Sequence, residues 1–255
     1  MTTTPSGPFD LTGRTAVVTG GGRGLGRGIS EALLRAGADV VVLARRPVPG
    51  DLLSLAGQLG CSITGREVDL TDLPAVEETA CSLLAERDVD ILVNNAGVQR
   101  RAPAVEFALA DWDDVMDVNL RVVFRLCQIV GAPMLQRGHG SIVNVASLLS
   151  FQGGITVPAY AASKGAIAQL TKALCNEWAG RGVNVNAVAP GYMETERNEA
   201  LLADPDRHAA ISSRIPAGRW GTPADVGGLV TFLCTEAATY IHGQIIAVDG
   251  GWLAR

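Results

Sequence analysis

The sequence predicts an α/β fold: a doubly wound, mostly parallel sheet of seven strands with helices on both faces, in a single domain spanning residues 1–255. Three observations carry this. Short β-branched runs alternate with longer amphipathic stretches, the pattern of repeated strand–helix–strand units. The first run stops at a glycine-rich turn, Gly20 to Gly26, that leads directly into a helical pattern. No internal repeat, low-complexity tract or linker divides the 255 residues.

Arg14 to Thr19 (Arg-Thr-Ala-Val-Val-Thr) reads as a buried strand. Gly20-Gly21-Gly22-Arg23-Gly24-Leu25-Gly26 follows, then a helix from Arg27 to Ala36 that Gly37 ends. Glycines let the backbone turn and approach a pyrophosphate, and a helix N-terminus offers free N–H groups and a favourable dipole. Asp39 to Ala44 is the second strand. An acidic residue often ends this strand in dinucleotide-binding units, where it holds a ribose 2′-hydroxyl. Here Ala44 is followed by Arg45 and Arg46, and a guanidinium suits a 2′-phosphate. These residues lean to NADP and leave NAD open; Pro47 and Pro49 also fit a plain exposed turn.

Ile63 to Val68 is a third strand, ending at Asp69-Leu70, and Leu73 to Arg87 is helical. Asp90 to Val93 is a fourth strand, running into Asn94-Asn95-Ala96-Gly97. Ligands of such folds bind at the carboxyl ends of the strands, and small residues there admit a flat ring. Asp111 to Gln136 reads as a long amphipathic helix opened by Asp111, with Asn119 inside it as a surface polar residue, a kink or a water-binding point. Ser141 to Val145 is the fifth strand, ending in Ala146-Ser147; a serine there commonly caps a turn. Pro158 to Arg181 is a helix, and Val183 to Val188 a strand closed by Ala189-Pro190-Gly191. Glu196 to Arg214 is expected to form one or two helices within a lid, at about 192–215. Pro223 to Cys234 is a helix and Gln244 to Val248 the last strand.

Tyr160 and Lys164 are four residues apart within the predicted helix, on one face. A free tyrosine hydroxyl, with a pKa of about 10, is a poor acid-base catalyst at neutral pH; a nearby ammonium favours its phenolate. The pair therefore reads either as a tuned phenol or as a packed ring beside a solvated charge.

The net charge is −5 and the pI about 5.2, without the basic footprint of a nucleic-acid binder. Five scattered cysteines, without C-x-x-C, suggest buried free thiols rather than a metal or redox site. The three histidines are far apart, so no metal is expected. The N-terminus, about 1–8, is polar and expected to be flexible, and the apolar runs look too short to span a membrane. A cytoplasmic protein is the expectation.

Thr19-Gly20-x-x-x-Gly24-x-Gly26, Asn94-Asn95-Ala96-Gly97, Asn119, Ser147, Tyr160-x-x-x-Lys164 and Pro190-Gly191 stand in the order and approximate spacing of the short-chain dehydrogenase/reductase family, which the chain resembles along essentially its whole length. The resemblance implies a Rossmann fold and an NAD(P)-dependent oxidoreductase. It implies that Tyr160 is the acid/base and that Lys164 lowers its pKa and holds the nicotinamide ribose. Ser147 would stabilise the substrate oxygen, and Asn119 would hold a water in a proton relay. Gly20, Arg23, Gly24, Leu25 and Gly26 would line the pyrophosphate and ribose. Arg45, Asp69 and Leu70 would lie at the adenine end, with Asn95, Ala96 and Gly97 beside the adenine ribose. Pro190, Gly191 and Thr195 would line the nicotinamide.

Asp111-Trp112-Asp113-Asp114, Ser150-Phe151-Gln152-Gly153-Gly154, Asn176-Glu177-Trp178, Arg214-Ile215-Pro216-Ala217-Gly218-Arg219-Trp220-Gly221 and Asp249-Gly250-Gly251-Trp252 resemble a narrower group. It comprises the bacterial 2-dehydro-3-deoxy-D-gluconate 5-dehydrogenases and 2-deoxy-D-gluconate 3-dehydrogenases, with gluconate 5-dehydrogenases as near relatives. This implies a sugar-acid substrate, with Arg100 or Arg101 on its carboxylate and Gln152 and Tyr192 on its hydroxyls. The group is usually associated with NAD, against the lean of Arg45. The family also implies a homo-oligomer, often a tetramer. Val122, Val123 and Phe124, with Ile167, Ala168 and Leu170, put apolar residues on more than one helix face; Trp252 and Leu253 call for burial within the chain or against a neighbouring subunit. A 3-oxoacyl-thioester reductase shares the same catalytic residues. A catalytically idle nucleotide-binding scaffold is the reading from another class, and the complete set of four residues argues against it.

Overall fold

The structure, a computed structural model, describes residues 7–255. Most of the N-terminal stretch expected to be flexible therefore lies outside the described residues. Seven strands form one sheet in the order β3-β2-β1-β4-β5-β6-β7. They are β1 (Thr15–Thr19), β2 (Asp39–Ala44), β3 (Ile63–Glu67), β4 (Ile91–Asn94), β5 (Gly140–Val145), β6 (Val183–Pro190) and β7 (Ile245–Val248). Every pairing is parallel, so the expected mostly parallel sheet is wholly so.

Alternation along each strand divides the interior into two cores. Val17, Leu92 and Ile142 face one side, where they meet Leu126, Val130 and Ile167. Ala16, Val18, Ile91 and Val93 face the other, where they meet Ile29, Leu33 and Val230. Both faces being covered explains why the strands read as continuous apolar runs. The helices are α1 (Gly24–Arg35), α2 (Gly50–Leu59), α3 (Leu73–Glu86), α4 (Leu109–Met116), α5 (Val122–Arg137), α6 (Pro158–Trp178), α7 (Glu199–Leu202), α8 (Pro205–Ser212) and α9 (Pro223–Leu233). A third, smaller cluster of Leu148, Ile215, Trp220 and Trp252 lies between the end of β5 and the α7–α8 region. Trp252 thus finds its burial within its own chain.

Several expectations need correction. The helix expected to open at Asp111 opens at Leu109, and a π-helical turn, Asp117–Arg121, separates α4 from α5. The continuous stretch Leu109–Arg137 has 29 residues and holds an 18-residue window with a mean hydropathy of 1.3, so by length and composition alone one helix among the described residues could cross a bilayer, although the apolar runs were expected to be too short. Its apolarity has another cause: half of that window is buried inside the protein. α2 is unanticipated; it lies between Pro49, at its N-cap, and Gly60, which ends it at φ 72°.

Only Cys127 and Cys234 of the five cysteines are buried, and Cys81 is exposed. Burial pushes the Cys127 and Cys234 thiols up to about 12, with Asn94 partly offsetting the effect at Cys127. Thiolates are the reactive form. In the folded protein a disulfide reagent is therefore expected to label Cys81 first and to leave Cys127 and Cys234 unmodified until denaturant is added, as peptide mass mapping would read.

Candidate active site

β1 pairs with β2 on one side and β4 on the other, so chain direction around the sheet reverses between β1 and β4. A crevice at the carboxyl ends of the strands is expected at such a point. The glycine turn occupies it. Gly20 (φ 65°) and Gly24 (φ 49°) adopt left-handed backbone that β-carbons disfavour. Arg23, the N-cap of α1, is extended and provides no capping side chain, and no acidic residue lies in the first turn. Bonding within the helix begins with Arg27 N–H to the Arg23 carbonyl, 3.0 Å. The N–H groups of Gly24, Leu25 and Gly26 therefore precede the first intrahelical bond and suit an anion.

Neighbouring residues hold this turn open. Asn95 Nδ2 donates to the Thr19 carbonyl (2.9 Å), and Ser30 Oγ donates to that of Gly21 (2.9 Å). The Thr19 hydroxyl accepts from the Asn95 and Ala96 N–H groups at 3.0 and 2.9 Å. A β-carbon at Gly26 would overlap the Gly20 carbonyl oxygen and lie 2.5 Å from Asn95 Nδ2. The cradle thus fits a pyrophosphate on geometry alone. Beyond the end of β3, where the adenine end was expected, Asp69 accepts both the N–H and the hydroxyl of Thr71 (2.9 Å each) through Oδ1. Those bonds, with Arg45 3.8 Å from Oδ2, hold the Asp69 carboxyl below its ordinary range. Leu70 is partly buried against the core beside it.

The second half of the site is built on α6. Lys164 is buried; its Nζ lies 5.7 Å from the centre of the Tyr160 ring and donates to the Val145 carbonyl at 2.6 Å. Ser150 Oγ donates to the Lys164 carbonyl (2.6 Å), which ties the 3-10 turn Leu148–Ser150 to α6. Ser147 caps that turn, its Oγ accepting the Leu149 N–H at 3.2 Å. Asn119 is fully buried in the π-helical turn, not at the surface. Its Oδ1 accepts the Val98 N–H (2.8 Å), while Nδ2 donates to the Val98 carbonyl (2.9 Å) and to Ser163 Oγ (3.1 Å). Ser163 Oγ donates in turn to the Tyr160 carbonyl at 2.8 Å. Asn119 therefore braces the loop after β4 against the first turns of α6. A β-carbon at Gly97 would lie 3.0 Å from Asn119 Oδ1 and 3.8 Å from Lys164 Nζ, so these three residues converge.

The expected substrate residues are less alike in position. Arg100 is exposed and pairs with Asp111 (3.3 Å) and Asp114 (3.2 Å) at the start of α4. Arg101 is exposed beside it. Gln152 Oε1 accepts from Trp252 Nε1 at 3.4 Å. Tyr192 packs between Trp220 and Trp252, with ring centres 5.2 and 4.8 Å away. Pro190 ends β6, and Gly191 donates to the Val248 carbonyl (2.9 Å). Thr195 is the N-cap of the 3-10 turn Glu196–Asn198, whose Glu196 lies 3.9 Å from Arg23. Sequence reasoning gave no role to Thr19, Ser163 or Trp252; each acts through a tertiary contact that periodicity does not report.

A family model described as enoyl-(acyl carrier protein) reductase matches residues 20–253. A 2-dehydro-3-deoxy-D-gluconate 5-dehydrogenase of Bacillus subtilis is 48% identical over 247 residues, covering 97% of each chain. A crystal structure from Beutenbergia cavernae, assigned as an NAD(P)-dependent gluconate 5-dehydrogenase and holding NADP at low occupancy, is 52% identical with a TM-score of 0.94, covering 98% of this chain and 100% of that one. One from Agrobacterium tumefaciens, assigned as a 2-deoxy-D-gluconate 3-dehydrogenase with bound NADP, is 50% identical with a TM-score of 0.92 and the same coverage. With a glycine turn at the head of α1, a Tyr-Lys pair on α6 and about half of its residues identical to these proteins along nearly its whole length, the chain belongs to the short-chain dehydrogenase/reductase family of NAD(P)-dependent oxidoreductases.

Proposed function

We propose that the protein interconverts a secondary alcohol and a ketone on a small sugar acid, as a 2-dehydro-3-deoxy-D-gluconate 5-dehydrogenase or a 2-deoxy-D-gluconate 3-dehydrogenase. The observation that carries the chemistry is the Tyr160–Lys164 pair on one face of α6, with Asn119 braced against the same helix and Ser147 capping a turn that Ser150 ties to it. The names of the relatives support the substrate class.

When bound, the nicotinamide supplies hydride transfer. Tyr160 gives a proton to the carbonyl oxygen in reduction and takes it from the hydroxyl in oxidation. Ser147 hydrogen-bonds that oxygen as charge develops on it. Lys164 brings a buried ammonium beside the phenol and holds the ribose hydroxyls. Asn119 keeps the Val98 loop and α6 in register, and the second lone pair of its Oδ1 is the place for a relay water. Gly20, Arg23, Gly24, Leu25 and Gly26 cradle the pyrophosphate. Asn95, Ala96 and Gly97 line the adenine ribose, and Pro190, Gly191 and Thr195 the nicotinamide. The 192–215 segment acts as the lid, and the working form is a cytoplasmic homotetramer.

NADP is the preferred coenzyme on this reading. β2 ends without an acidic side chain, Arg45 and Arg46 are exposed at its end, and NADP in two relatives is consistent with that. Steady-state rates with NAD and NADP across a panel of aldonic and 2-keto-3-deoxy acids test the proposal. NADP is expected to win on kcat/KM, and Arg45→Ala to reduce its advantage about tenfold. A preference for NAD would remove the role given to Arg45. Turnover of a 3-oxoacyl thioester but of no sugar acid would replace the substrate class with the acyl-thioester reading.

A further inference from the structure

A sugar-acid site needs a cation for the carboxylate, and the two arginines expected from sequence differ in what they have to offer. Arg100 already faces two carboxylates, Asp111 and Asp114. Arg101 is exposed with no ion pair among the described residues, and no contact ties it to Gln152 or Tyr192. Arg214, in the segment after α8, also forms no ion pair among the described residues. Its guanidinium carbon lies 4.0 Å from the centre of the Trp252 ring.

That ring is the hub of the expected substrate side. Trp252 Nε1 donates to Gln152 Oε1, and Tyr192 packs against the same indole at 4.8 Å. It shares a buried cluster with Leu148, the residue next to Ser147. The hub is rigid: Asp249 accepts the Gly251 and Leu253 N–H groups (2.9 Å each) on either side of Trp252. Asp249 in turn packs so closely on Gly191 that a β-carbon there would lie 2.8 Å from its Cα. A guanidinium stacked by its face on an aromatic ring keeps its edge N–H donors available, the geometry for a two-pronged grip on a carboxylate.

We propose that Arg214, stacked on Trp252, is the residue that binds the substrate carboxylate and sets the preference for acids over uncharged polyols. The assignment rests on the sugar-acid reading above and deepens it. It also gives the 192–215 segment a task, since the cation sits at its far end.

The test compares, in the full-length protein, the best sugar acid of the panel with its uncharged primary amide. Wild type is expected to favour the acid. Arg214→Met retains an apolar chain against the indole and removes the charge. It is expected to raise KM for the acid about 10- to 100-fold while moving KM for the amide and for the coenzyme by less than about twofold. Arg214→Lys is expected to recover part of the loss. A packing role alone would affect acid and amide alike, and that result overturns the proposal, as does finding the acid-specific loss in Arg101→Met. If Arg214→Met fails to bind coenzyme, read by quenching of tryptophan fluorescence, Arg214→Gln faces the same two outcomes. If wild type turns over acid and amide equally, the sugar-acid reading falls together with Arg214. If wild type favours the acid and Arg214→Met still does, only Arg214 falls.

Discussion

Tyr160→Phe is expected to lower kcat by about 10²- to 10⁴-fold, the range attributed to a positioned general acid or base. The ring stays, so its packing at the start of α6 and the Tyr160 carbonyl that accepts from Ser163 are untouched. Coenzyme affinity should therefore change little, and unfolding by urea should keep its midpoint. The change removes one oxygen, which isolates proton transfer from architecture. Nicotinamide absorbance under saturating substrate and coenzyme reads the rate, and fluorescence titration reads the coenzyme. Unchanged turnover would mean that the proton is handled elsewhere, and the roles given to Lys164 and Ser147 would fall with it.

Gly26→Ala is the second large effect. Helix propensity alone favours the change by roughly 1 kcal/mol, because alanine is the better helix former. Contact opposes it: the new methyl would overlap the Gly20 carbonyl and crowd the Asn95 amide. Overpacking of this kind costs about 1–3 kcal/mol, and here the obstacle is backbone that cannot rotate away. We expect a net loss of stability and, because Gly20 and Asn95 shape the cradle, coenzyme binding weaker by at least about tenfold. Gly57→Ala, in α2 where a β-carbon would meet no atom within 4 Å, provides the contrast. That change is expected to stabilise by about 0.4–1 kcal/mol and leave coenzyme binding alone. Paired denaturation curves and coenzyme titrations of the two variants decide the point, and a Gly26→Ala protein that binds coenzyme normally would contradict the cradle.

The sheet was legible because parallel strands buried on both faces read as unbroken β-branched runs; Asp39–Ala44 and Val183–Pro190 lie within two residues of expectation. α2 was hidden by Pro47, Pro49, Gly50, Gly57 and Gly60, which resemble turn punctuation. Pro49 and Gly60 do punctuate, but as the two ends of a helix whose Leu52 and Ala56, four residues apart, face the core. Within the site, Tyr160 and Lys164 were legible because four residues is one helical turn. The ion pairs of Arg100 were not legible: a basic residue near the strand ends suggested an anion, while the carboxylates it meets lie 11 and 14 residues further on, across a loop. Nothing local links Gln152 to Trp252, which are 100 residues apart.

The π-helical turn at Asp117–Arg121 also fixes chain length. Such a turn carries one residue more than the α-helix around it, so a single deletion there would heal the rod and give a more regular helix. The flanking stretches would stay in register, because the wide turn absorbs its extra residue within a single turn. Leu126 and Val130 would keep their places in the core, but the wide turn that points Asn119 at Val98 and Ser163 would be gone. Relatives that keep this brace should tolerate substitutions along the segment far better than a change in its residue count, so that a gap in an alignment there would be a better marker of lost activity than any single replacement.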